Sequence, residues 1–161
     1  MMKRCVGMAL CAVLMLAGCR FSFGTDDGKQ ALPAPTAGTP ELQQEAADAA
    51  KQYLKLVDAH EDDEIWKRAG RGLHATSSKR VFLSAIKLAR TFSLPDKREL
   101  DGFGFTPKVD AAWPEGDYVV VQYKAVAGNV VSIERVVMQR EDDAWKLIGY
   151  HVNKNAQAAI E

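Results

Sequence analysis

From Pro40 onward the apolar positions recur at helical spacing. Leu42, Ala46, Ala49, Tyr53 and Leu56 follow one another at intervals of four, three, four and three residues, and Ala50, Leu54 and Val57 widen the same stripe. That period marks an amphipathic helix running to about Ala59. Thr39 is placed to cap it, and Pro40 suits the first helical position. Asp62 or Asp63 can cap a short second helix carrying Ile65, Trp66 and Ala69, which Gly70 and Gly72 end. Ser77 or Ser78 opens a third. Its stripe is Val81, Ala85, Leu88 and Phe92, flanked by Phe82, Ile86 and Ala89, and Leu94-Pro95 stops it.

After Pro95 the period becomes two. Leu100 to Thr106 reads as a strand with Phe103 and Phe105 on one face and Gly102 and Gly104 on the other. Aromatic against glycine suggests a curved strand or a bulge. Further strands follow from Tyr118 to Val126, Val130 to Arg140 and Trp145 to Val152, separated by the short turns Gly128-Asn129 and Glu141-Asp142-Asp143. Short turns imply an antiparallel meander. Helices followed by about four antiparallel strands give an α+β layout with the helices covering one face of a curved sheet.

The N-terminus has a different pattern. Met1-Met2-Lys3-Arg4 is basic, and an apolar run of 14 residues follows from Cys5 to Gly18. Spanning a bilayer takes about 20 apolar residues, so the run fits a secretory signal instead. It ends in Leu16-Ala17-Gly18-Cys19, which resembles the bacterial lipoprotein cleavage motif. The resemblance implies cleavage before Cys19, acylation of its sulfur and new amine, and a membrane anchor of more than one chain. Arg20 rather than Asp follows Cys19, which by resemblance to enteric sorting signals directs the protein to the outer membrane, facing the periplasm. Three segments follow: 1–18 signal peptide, 19–40 lipidated cysteine and linker, 41–161 folded domain. The linker is rich in Gly, Pro, Ala and Thr, and a flexible chain of this size spans roughly 25 Å.

Composition narrows the function. The 161 residues hold 21 basic and 21 acidic side chains and are 47% hydrophobic. Losing Lys3 and Arg4 with the signal leaves 19 basic against 21 acidic residues. Bulk charge therefore gives no basis for nucleic-acid binding. Mean hydropathy is −0.19, too polar for a multi-span membrane protein. The three cysteines are Cys5, Cys11 and Cys19, so the folded part has no disulfide and no cysteine nucleophile.

Four blocks carry a family resemblance. They are Tyr53-Leu54-Lys55-Leu56-Val57-Asp58 with Ile65-Trp66 nearby, Gly116-Asp117-Tyr118-Val119-Val120-Val121-Gln122-Tyr123, Glu134-Arg135-Val136-Val137-Met138, and Trp145-Lys146-Leu147-Ile148-Gly149-Tyr150. In this order they resemble the DUF4019 family of bacterial envelope proteins, over roughly residues 45–153. The resemblance implies a cystatin-like (NTF2-like) cone, in which a curved sheet wraps around helices and can leave a pocket. It brings no catalytic residues. The chain departs from the pattern at Asp142-Asp143, where Asp-Gly is usual, and at Phe82, where Trp is usual.

Candidate chemistry is sparse. His60-Glu61-Asp62-Asp63-Glu64 lacks the alternating oxygen ligands and glycine of a calcium loop and reads as a solvated turn with acids favouring the next helix N-terminus. No metal site and no cofactor fingerprint is expected. His74 and His151 show no ligand spacing. Asp58 is a candidate pocket base or a helix-end hydrogen bonder, and His151 a candidate base or an edge residue. Glu134, if inward, needs a partner such as Arg90 or a neighbour of Arg135. Trp66, Trp113 and Trp145 read as core or rim anchors. A ligand pocket, if formed, would draw on Asp58, Trp66, Tyr123 and His151. The expected role is non-catalytic: binding a small ligand or an envelope protein partner. The alternative is an isomerase-like pocket enzyme with Asp58 or His151 as base.

Overall fold

The computed structural model describes residues 32–92 and 95–154, in which four helices precede a four-stranded sheet. The signal peptide, Cys19 and the helix stop at Leu94 lie outside the described residues. α1 spans Pro40–Asp58, α2 Asp62–Arg68, α3 Arg71–Thr76 and α4 Lys79–Phe92. β1 covers Lys97–Thr106, β2 Tyr118–Ala127, β3 Val130–Glu141 and β4 Ala144–Lys154. The strands lie in the order β1-β2-β3-β4, all antiparallel, in an open sheet. This is the expected α+β meander.

Local chemistry sets the helix ends. Thr39 Oγ1 accepts from the Leu42 N–H at 3.3 Å, with Pro40 following as expected. At the other end His60 takes a left-handed φ of 59°. The His60 N–H then donates to Val57 O at 3.2 Å and the Glu61 N–H to Leu56 O at 2.9 Å, the Schellman pattern that closes α1. Ser78 caps α4 through its side chain to Val81 N–H (3.3 Å).

Two helical expectations change. The stretch around Gly70 and Gly72 does not simply end α2. Gly70 is extended, breaks the helix and donates its N–H to Leu147 O of edge strand β4 at 2.8 Å. The chain then restarts as α3. A Cβ at Gly72 would lie 2.7 Å from the Trp113 ring, so glycine is needed there for close approach. The second change concerns α4. Phe82, Ile86 and Ala89 face the core, while Val81 and Leu88 are 60% and 59% exposed. Both rows have helical spacing, and periodicity cannot choose between adjacent rows. The row that continues into Arg90, whose guanidinium reaches Val57 O, takes the core side.

The sheet's inner face carries Phe103, Val119, Val121, Tyr123, Val136, Met138, Leu147 and Tyr150, packed under Ala46, Ala50, Leu54, Val57 and Ile65. A bulge at Asp101 between Leu100 and Gly102 meets the expected irregularity in β1. Thr36, within the stretch read as linker, is tied to β1: Thr36 N–H donates to Phe105 O and Phe105 N–H to Thr36 O, both at 2.8 Å. That contact blunts one sheet edge, as Gly70 does the other.

Candidate functional site

The polar side chains of the interior meet at the C-terminal end of α1. Glu134 stands on the inner face of β3, opposite Tyr123, and is fully buried. An isolated buried carboxylate is strongly disfavoured, so it needs partners. Arg98 at the start of β1 supplies one. Its Nε–H donates to Glu134 Oε2, and its Nη2–H to Oε1 at 3.3 Å. Tyr150 on β4 adds an O–H to Oε1 at 3.0 Å.

Arg98 also reaches Asp58. Nη1–H donates to Oδ2 at 2.6 Å and Nη2–H to Oδ1 at 2.8 Å, a bidentate pair. Burial by itself would lower the Arg98 pKa; the hydrogen bonds it donates to Asp58 and Glu134 outweigh it and raise it. Next to this pair, Arg90 donates from Nε to Val57 O at 2.8 Å, and its Nη2 lies 2.6 Å from Asp62 Oδ1. The Leu56-Val57-Asp58 segment is thus gripped by two arginines, one on its last buried carbonyl and one on its carboxylate. The expected partners of Glu134 are corrected: Arg90 turns to Val57 and Asp62, and Arg98 holds the glutamate. Strict alternation from Phe103 would turn Arg98 outward; the bulge at Asp101 brings it to the inner face, opposite Ala125.

The four residues expected to line a pocket occupy different places. Asp58 lies at the rim of the arginine pair. Tyr123 is inside the core, and its hydroxyl has no hydrogen-bond partner among the described residues. Trp66 lies half-buried on α2, its ring 4.4 Å from that of His74 and 6.0 Å from that of Phe82. His74 Nε2 meets Trp66 O at 2.9 Å, so this pair fastens α3 to α2. His151 is on the opposite, outer face of the sheet beside Arg135. Desolvation first and the Arg135 charge second lower its pKa. Arg135 in turn donates to Gln122 Oε1 at 2.8 Å, and Gln122 to Asp101 at 2.6 Å. Asp58 and Tyr123 border the same arginine cluster; Trp66 and His151 do not.

The acidic run resolves into helix ties. Asp62 pairs with Arg90, Asp63 with Lys79 at 2.7 Å, and Glu64 with Arg68 at 2.5 Å. Among the described residues no three His, Cys, Asp or Glu side chains gather at metal-binding distance.

All four tyrosines, Tyr53, Tyr118, Tyr123 and Tyr150, are held above the ordinary phenol value of 10.0, in each case first by burial. For Tyr150 the Glu134 charge adds to the rise. A raised native pKa means the unfolded chain loses protons first as pH rises. Stability from these groups is fully present below about pH 10 and falls above it. Urea unfolding at pH 8 and pH 11 is expected to show a lower midpoint at pH 11. An unchanged midpoint would contradict buried, protonated tyrosines.

Clefts lie elsewhere on the surface of the described residues. One of about 350 Å³ is bounded by Arg71, Gly72 and Pro114. Another, about 520 Å³, runs between α1 and the β3–β4 hairpin over Tyr53, Leu56 and Trp145. Trp145, expected as a core or rim anchor, forms part of the wall of this second cleft. Nothing in the periodicity showed that α1 would stand off the hairpin at this point.

A profile of the family described as "Protein of unknown function (DUF4019)" matches residues 49–150. No curated protein matches the chain.

Proposed function

The chain belongs to the DUF4019 family, and from that premise we propose that it is a lipid-anchored periplasmic protein whose domain binds rather than transforms. The anchor is Cys19, acylated after cleavage of residues 1–18, with the outer membrane as destination. Among the described residues no helix is long and apolar enough to cross a membrane. The partner is a small molecule or another envelope protein.

The observation that favours binding over turnover is the mutual engagement of Asp58, Arg98, Glu134 and Tyr150. A general base must be free to turn toward its substrate. Asp58 accepts on both oxygens from Arg98, and Glu134 is sealed from solvent. His151, the other candidate base, stands on the far face of the sheet from this cluster.

The anchor is tested by Cys19→Ser. The native protein should sediment with membranes, and the variant should move to the soluble periplasmic fraction, because loss of the acyl chains leaves only a short signal core to hold it. Retention of the variant in membranes would overturn the anchor. Turnover of an envelope metabolite that disappears in Asp58→Asn would overturn the non-catalytic reading.

A further inference from the structure

Helix α4 carries one apolar row inward and a second outward. Phe82, Ile86 and Ala89 fill the core. The outward row is Val81, Ala85 and Leu88, all exposed. Val81 and Leu88 are two of the four large apolar side chains exposed among the described residues. At about 100° per residue this row and Ser84 beside it fall within roughly 100° of arc, over about 10 Å of helix. Exposed apolar residues scattered singly are ordinary, but a contiguous row on one helix face marks a contact surface.

The charge beside this row has one sign. Residues 79–92 contain Lys79, Arg80, Lys87 and Arg90 and no acidic residue. Arg90 turns inward to Val57 O and Asp62, and Lys79 leans to Asp63 of α2. Arg80 and Lys87 are exposed, and the helical spacing puts both on one margin of the row, next to Ser84. Lys87 meets Asp62 at 3.7 Å while 67% exposed, a weak pairing that an outside anion can replace. The chain as a whole has no net charge, so this basic margin is a local feature.

A second copy of the chain suits this face poorly. It would set Arg80 and Lys87 against their own like charges, and a row this short falls well below the roughly 800 Å² per partner of a stable interface. A bilayer meets neither obstacle. It is continuous, it takes apolar side chains at the acyl boundary, and its anionic headgroups complement the cations. The bilayer is also within reach. Residues 20–35 separate Cys19 from the tie between Thr36 and Phe105. That stretch extends to at most about 55 Å, and a domain of this size is roughly 35 Å across. Its length lets any face meet the membrane, so surface chemistry selects the face.

We propose that the outward face of α4 is a membrane-docking surface for anionic phospholipid. Val81, Ala85 and Leu88 dip into the boundary between headgroups and acyl chains, and Arg80 and Lys87 meet lipid phosphates. This rests on the reading of Cys19 as the anchor and adds what an anchor alone leaves open, the orientation of the domain.

The test uses the full mature, acylated chain in vesicles of phosphatidylethanolamine and phosphatidylglycerol. The cysteines of the sequence are Cys5, Cys11 and Cys19, so a fluorophore is placed cleanly by Ser84→Cys on α4 or by Lys124→Cys on the outer face of the sheet. A quencher on the lipid headgroups should dim the Ser84→Cys label at least about twofold more than the Lys124→Cys label. Salt at about 0.5 M, phosphatidylcholine vesicles or Arg80→Glu should each shrink the difference. Leu88→Asp should abolish it while moving the melting temperature by less than about 2 °C. Equal quenching of the two labels would overturn the proposal, as would a difference that survives Leu88→Asp or is as large in phosphatidylcholine. Energy transfer between Ser84→Cys labels that persists without lipid would make a second copy the occupant and overturn it as well. The anchor is read separately. Native protein that sediments with the vesicles but shows equal quenching keeps the anchor and loses the docking face, and Cys19→Ser protein retained in membranes loses the anchor whatever the labels show.

Discussion

Replacing Arg98 with alanine is expected to lower the unfolding free energy by about 3–5 kcal/mol, because it takes the arginine's charge and two hydrogen bonds away from a buried carboxylate. Glu134 is fully buried, and the Tyr150 hydroxyl that also reaches it is a neutral donor. A neutral donor does not replace an arginine's charge beside a desolvated carboxylate. Replacing Asp58 with alanine should have a much smaller effect, under about 1 kcal/mol, because Asp58 is partly solvated and Arg98 retains Glu134. The double change Arg98→Met with Glu134→Leu should recover most of the loss, since removing both charges removes the penalty. Urea unfolding of the four proteins, with unchanged m-values, measures all of this. A loss below about 1 kcal/mol in Arg98→Ala would show that Glu134 does not depend on that arginine.

The second large effect concerns α4. Ile86→Ala should destabilise by about 2–5 kcal/mol, from lost apolar burial and the cavity left behind. Ile86 is 1% exposed within the core cluster. Two residues further on, Leu88→Ala should change stability by less than about 0.5 kcal/mol. The contrast reads the helix's rotation directly. Similar losses at both positions would mean that the Val81–Leu88 row faces the core after all.

Much of the fold was legible in local chemistry. The Thr39-Pro40 start of α1, the period-two strands and the bulge beside Gly102 rest on backbone geometry that neighbouring residues impose. Two helices meeting at Gly70, and their separation into α2 and α3, were less legible. Gly70 breaks the helix because its N–H is drawn to Leu147, 77 residues away in the chain. The site was partly legible in the same way. Glu134 among apolar residues announced a buried charge that needed a partner, and Asp58 announced a polar helix end. Which arginine answered both depended on β1 lying next to β2 while α1 ended above them.

The sequence by itself determined the α+β class, the strand order of a meander with short turns and the N-terminal cap of α1. Each follows from interactions within a few residues, or from turns too short to permit another path. The tertiary structure alone decided which row of α4 is buried, that Arg98 joins Asp58 to Glu134, that Tyr123 and His151 lie on opposite faces of the sheet, and that a cleft opens between α1 and the β3–β4 hairpin. These depend on how elements distant in sequence stack and rotate. Burial of a charge or an apolar row is a property of that whole packing, which spacing along a chain does not contain.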